Sequence, residues 1–333
     1  MLLMLWSGQV YSQVPGCTDT LANNFNPQAT INNGSCTYNS ISYNPSLKVN
    51  PINDSLAENS GLQWAGNSLW SFNDGSGAAV LYRIDTISNA LLQRVYLQGA
   101  SNTDWEDIGF DGFFFYIADV GNNLNGARTD LKIYKFPLSA IPDYATSPEV
   151  TIPAGQVDVI NFTYSDQPQP PVTYGSNNTK FDCEAMIVDN GKIHLFTKNW
   201  IDLNTTHYVI DSVLAGTYIA TPLEILSTNY LVTAAAKAMG KNVVILLGYQ
   251  NSGTGNHFMH VLSAYNGGHY FNGNKRRIDL PDVFVMGQAE GICLKNGSEG
   301  YISNEKFIRV MAGVSFTVTP KLRSFDLRNY VSD

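Results

Sequence analysis

Residues 104–120 read DWEDIGFDGFFFYIADV. Two apolar runs, 105–110 and 113–120, flank the pair Asp111-Gly112, and runs rich in aromatic and β-branched residues around an Asp-Gly step predict a β-hairpin. Acids stand at its open end: Asp104, Glu106 and Asp107 start the first strand, and Asp119 ends the second. Antiparallel pairing brings the start of one strand beside the end of the next, so these carboxylates share one edge. The same arrangement recurs in GLQWAG with SLWSFND, in AMIVDNG with KIHLFTKN, in LVTAAAKAMG with NVVILLGYQ, and in EGICLKNG with SEGYISNE.

A repeat of this kind decides the fold before local detail does. Two further strand-like segments follow each hairpin: VLYRID and RVYLQG, then LKIYKF and VDVINFTYSD, then HYVIDSV and PLEIL, then FMHVLSAY and KRRIDL, and finally FTVTP and KLRSFDL. The expected class is all-β, a five-bladed β-propeller of four-stranded antiparallel blades over residues 45–333, with six blades as the alternative. The residues opening the units are Glu58, Glu106, Glu184, Thr233 and Glu290. One long step, between Glu106 and Glu184, contains the Pro-rich stretch Pro137 to Pro153 and the run PQPP at 168–171, and reads as loop insertion. The strand-like segment Leu47 to Ile52 could complete the last blade and close the ring, which removes exposed edges.

Composition supports this reading. The 333 residues are 44% hydrophobic, with 28 Gly and 18 Tyr, so a large core with many turns is expected and disorder of the whole is excluded. Only 14% of residues are charged and the net charge is -8, which excludes a general nucleic-acid binder. No apolar run is long enough for a spanning helix. The start, MLLMLWSGQVYSQ, predicts a signal peptide or its remnant at 1–13. Cys17 and Cys36 bracket a segment with little apolar content, so residues 14–40 read as a small module stapled by their disulfide. Cys183 and Cys293 have no metal or redox spacing and read as buried small hydrophobes.

In a propeller the first strand of each blade lines the central channel and the second returns beside it. The openers supply Glu58, the run Asp104 to Asp107, Asp182 with Glu184, Thr233, and Gln288 with Glu290. Second-strand ends supply Asp74, Asp119, Lys198, Asn304 and Glu305. Like charges gathered this closely require a neutralising cation or raised pKa values. A set of carboxylate, amide and hydroxyl oxygens without His or Cys favours Ca2+. The expected ligands are Glu58, Asp104, Glu106, Asp107, Asp119, Asp182, Glu184, Glu290 and Glu305. The alternative is that these acids cap strand ends and accept backbone N–H bonds. No HExxH, phosphate loop or GxSxG elbow is present. Arg128, Lys180 and Lys198 could face the acids, as a phosphate clamp or as structural partners. Trp70, Trp105 and Trp200 read as core or as stacking surfaces.

Two resemblances extend the reading. The ordered set ENSGL, LWSFNDGSG, DWEDI, YIADVGNN with Arg128, DCEAM, LFTK, LVTAAA, QAEGI and YISNE resembles a family of bacterial exported propellers, sometimes grouped with esterase-like phytase-related propellers, over about residues 55–310. A more distant similarity is to calcium-activated apyrases. Where the exported-propeller family carries an acid in its fourth unit (VTGAD), this chain has VTAAAK, leaving Thr233 as the nearby oxygen. The stretch GCTDTLANNFNPQATINNGSC resembles a short module of exported Bacteroidetes proteins, and its Asp19, Asn24, Asn26, Asn32 and Asn33 either hold a second Ca2+ or belong to a plain spacer.

The expected function is therefore an exported, calcium-binding propeller, acting as a monomer, that binds a small molecule, glycan or protein at an acidic axial face. The alternative is a calcium-dependent phosphoester hydrolase with Glu106 or Glu184 as general base and Arg128 and Lys198 neutralising the leaving charge. An enzyme of that kind should direct at least two basic side chains into the channel mouth.

Overall fold

The computed structural model describes residues 13–331 apart from 76, 238 and 252–254. The expected leader therefore lies outside the described residues except for Gln13. Twenty strands form five successive four-stranded antiparallel units. The first unit comprises Asn59–Ala65, Ser68–Asn73, Val80–Ile84 and Leu91–Leu97, and the second Trp105–Phe110, Phe114–Asp119, Lys132–Pro137 and Asp158–Tyr164. Cys183–Asp189, Lys192–Thr197, Thr205–Ile210 and Gly216–Leu226 form the third, and Leu231–Lys237, Val243–Tyr249, Asn256–Ser263 and Asn274–Asp282 the fourth. The fifth takes Gln288–Leu294, Glu299–Glu305 and Leu322–Asp326, and is completed by Ser46–Val49 from the other end of the chain.

The first strand of each unit packs against the first strand of the next, and that of the fifth against that of the first, so the inner strands close into a ring. Their residues are close to continuously buried because neighbours cover both faces, whereas in an outer strand such as Gly216–Leu226 nearly every residue is half-buried or exposed. One apolar cluster fills each space between adjacent units. Trp70 and Phe72 meet Ile108 and Phe115 between the first and second. Tyr116 and Ile133 meet Met186 and Leu195 between the second and third, and Ile187 and Phe196 meet Val232 and Leu246 between the third and fourth. Ile245 and Met259 meet Ile292 and Ile302, and Val49 with Cys293 meets Leu62 and Leu69 across the seam of the ring. Cys183 and Cys293 are buried free thiols, and burial pushes each up to about 12. Trp70 and Trp105 are core residues.

Three segments differ from the expected strands. FTVTP is not the third strand of the last unit: Phe307–Met311 and Val314–Val318 form a separate hairpin, and KLRSFDL moves up to take the third place. The Pro-rich insertion returns to the first unit, where Glu149–Ile152 adds a parallel edge strand beside Leu91–Leu97. Asp158–Tyr164 and Gly216–Leu226 pair in parallel and join the outer edges of the second and third units. Cys17 and Cys36 are disulfide-bonded, and Asn32 docks their module on the fourth unit through Ala264 O and Asn274 Oδ1. Among the described residues no helix is long and apolar enough to cross a membrane.

Candidate metal centre

Every inner strand slips by one residue at the same place in its pairing with the second strand. The breaks lie between Ser60 and Leu62, Trp105 and Asp107, Cys183 and Ala185, Val232 and Ala234, and Ala289 and Gly291. The extra residues are Gly61, Glu106, Glu184, Thr233 and Glu290. A bulge bends its strand and re-aims the side chain it carries, so three glutamates and a threonine occupy one repeated position. In the first unit that position belongs to Gly61 and not to Glu58, which lies ahead of the strand and is exposed.

Asp74, Asp104 and Glu106 each bring a carboxylate oxygen within 4.8 Å of the others. Asp74 stands at the end of a second strand, outside the expected ligand set; the signal for it is the acid closing SLWSFND. Gly121 makes the approach possible, since a Cβ there would collide with Glu106 Oε1 and Asp104 Oδ2. Burial, and then the neighbouring Asp104 carboxylate, push Asp74 up to about 8. Glu106 is held well above the usual carboxylate range by burial and then by Glu184 and Asp74, and Asp104 is raised by burial and then by Asp182.

Glu184 and Glu290 continue the cluster around Lys198. The ammonium lies 2.6 Å from Glu184 Oε2 and 3.8 Å from Glu290 Oε1, over the rings of Trp200 and Tyr249. Gln288 Nε2 donates to Glu290 Oε1 at 2.8 Å, and Tyr249 Oη donates to the same oxygen at 3.3 Å. Glu290 Oε2 and Asp74 Oδ1 are buried without a hydrogen-bond partner. Glu305, 3.4 Å from Gln288 Nε2, is raised well above its usual range by burial and then by Glu290.

The other expected ligands are engaged elsewhere. Asp107 turns to the ring's interior and accepts backbone N–H bonds from Ile108, Met186 and Ala235, at 2.8, 2.8 and 3.2 Å, tying together three inner strands. Asp119 accepts from Arg128 at 2.8 Å and from Asp104 N at 3.1 Å. Arg128 also donates to Gly121 O and pairs with Asp130. Asp182 accepts from Asn122 N and from the Trp200 indole, both at 2.7 Å. Thr233 donates to Ala289 O on the next inner strand. Further along the inner strands lies a cavity of about 20 Å3 lined by residues of all five. Lys180 is exposed.

No protein-family model matches the chain, and no curated protein matches it. Among solved structures it is similar to Zg3597, a family 117 glycoside hydrolase from Zobellia galactanivorans, at 13% identity over 86% of this chain and 91% of that one, with a TM-score of 0.43. The tail fiber of Staphylococcus aureus phage P68 gives 13% identity and 0.41, covering 85% of this chain, and a chain of the mitotic checkpoint complex gives 12% and 0.34, covering 82%. This chain spans 52% and 61% of the lengths of those two. Likenesses this weak carry no functional information.

Proposed function

We propose that the chain is an exported five-bladed β-propeller that binds one or more calcium ions at its acidic axial mouth and uses that face to hold a ligand or partner. The observation that carries the reading is the meeting of Asp74, Asp104 and Glu106 beside buried oxygens that lack any partner, Asp74 Oδ1 and Glu290 Oε2. An all-oxygen donor set suits a hard cation, and a divalent ion offsets the burial and mutual repulsion that raise these carboxyls above their usual range. The ring of five inner strands supports the blade count, and the Cys17–Cys36 disulfide supports an oxidising compartment.

Binding without turnover is favoured over phosphoester hydrolysis by the cations. Lys198 is the one described basic side chain paired within the Glu184–Glu290 side of the mouth, while Arg128 is bound to Asp119, Asp130 and Gly121 O. The test is a thermal melt of chelator-treated protein with and without Ca2+, on wild type and Glu106→Gln, beside a phosphoester hydrolysis screen. Wild type should gain several degrees with Ca2+, and Glu106→Gln should lose most of that gain. An unchanged wild-type melt would overturn the calcium centre, and turnover dependent on Glu106 would overturn the assignment as a binding module.

A further inference from the structure

We infer that Lys198 is a resident counter-cation that occupies one of two cation positions in the mouth, so that the propeller takes a single divalent ion there, on the Asp74–Asp104–Glu106 side. This rests on the calcium reading above and specifies its stoichiometry.

The ammonium sits between Glu184 and Glu290, within 3.8 Å of both. A calcium ion bound by these two glutamates would need their oxygens at about 2.3–2.6 Å, which puts it in the space the ammonium fills. Lys198 is not free to withdraw. Its side chain is 4% exposed, against 3% and 5% for the two glutamates, and removing one partner of a buried pair leaves the other charge uncompensated. Its backbone is fixed as well, because Lys198 N donates to Asp182 O at 2.8 Å. The rings over the ammonium are anchored in turn, Trp200 by its indole bond to Asp182 and Tyr249 by its hydroxyl bond to Glu290. Cation–π contact with both rings favours a cation at this point.

The other side of the mouth has no such occupant. None of the described ion pairs involves Asp74, Asp104 or Glu106. Asp74 Oδ1 is buried there without a hydrogen-bond partner, and at the boundary between the two sides Glu290, whose charge acts on Asp74, leaves Oε2 unpartnered on a side chain 5% exposed.

The experiment is calcium titration by calorimetry of the chelator-treated full chain, read as differences in ions bound per chain so that any ion in the Cys17–Cys36 module cancels. Asp104→Asn combined with Glu106→Gln should lose one ion relative to wild type, Glu184→Gln should lose none, and Lys198→Met should gain one. Lys198→Arg should gain none, since the charge is kept. Loss of two ions in the Asp104/Glu106 double variant, or of one in Glu184→Gln, overturns the inference even if Lys198→Met does not fold. An unchanged count in folded Lys198→Met overturns it while leaving the calcium centre intact. Absence of calcium binding to wild type overturns both readings.

Discussion

Glu106 and Asp107 are adjacent in sequence and have opposite fates. Glu106 sits on the bulge and joins the mouth, while Asp107 crosses the ring interior to accept three backbone N–H bonds. DWEDI displays both carboxylates but not this division, because a bulge breaks the two-residue alternation by which strand faces are read. The difference is measurable. Asp107→Asn should cost about 1–3 kcal/mol in denaturant unfolding, because an amide nitrogen would face backbone donors in the ring's interior, and its calcium-dependent rise in melting temperature should persist. Gly121→Ala should do the reverse: its Cβ would push into Glu106 and Asp104, so the calcium-dependent rise should be lost with only a modest change in the metal-free melt. Gly155→Ala, where a Cβ meets nothing within 4 Å, is the control and should leave that rise intact.

At the scale of elements, hairpins with turn residues between apolar runs made the five units readable, and the acids at strand ends made one edge of them conspicuous. Two placements were not readable because tertiary pairing overrides local pattern. FTVTP has the composition of an ordinary strand, yet it pairs only with Phe307–Met311 because Ser46–Val49 already completes the sheet through Leu322–Asp326. Glu58 lies near the opening of its unit in sequence, but Gly61 takes the bulge, with φ of 57° and with Phe72 and the Asp107 backbone packed where a side chain would go. The N-terminal module is a separate case, since its few apolar residues are largely exposed and its one disulfide closes the loop. A loop of that size is stabilised by about 3 kcal/mol on closure. Cys36→Ser should therefore admit protease within residues 14–40 while the main melting transition of the ring moves little, which limited proteolysis and a melt on the same sample would read.

For the whole molecule, two sets of buried groups oppose each other across the pH range. Burial lowers His194 to about 3 and His257 and His260 to about 4, so the native chain keeps all three neutral while the unfolded chain takes up protons near 6.5. Their contribution is present above pH 6.5 and is lost as pH falls towards 4, at up to about 4 kcal/mol per pH unit when all three titrate together. The mouth acts in the other direction. Asp74, pushed up to about 8 from a usual 3.8, keeps a proton in the native state that the unfolded chain releases, so its term is lost as pH rises from about 4 to 8. Calcium-free protein should thus melt highest at an intermediate pH and decline on both sides. An ion held by the deprotonated carboxylates removes the cost of ionising them and leaves the histidines untouched. Melting curves from pH 4.5 to 8.5 should therefore show the alkaline decline abolished by Ca2+ and the acid decline retained, and a calcium effect of equal size at pH 5 and pH 8 would contradict this coupling.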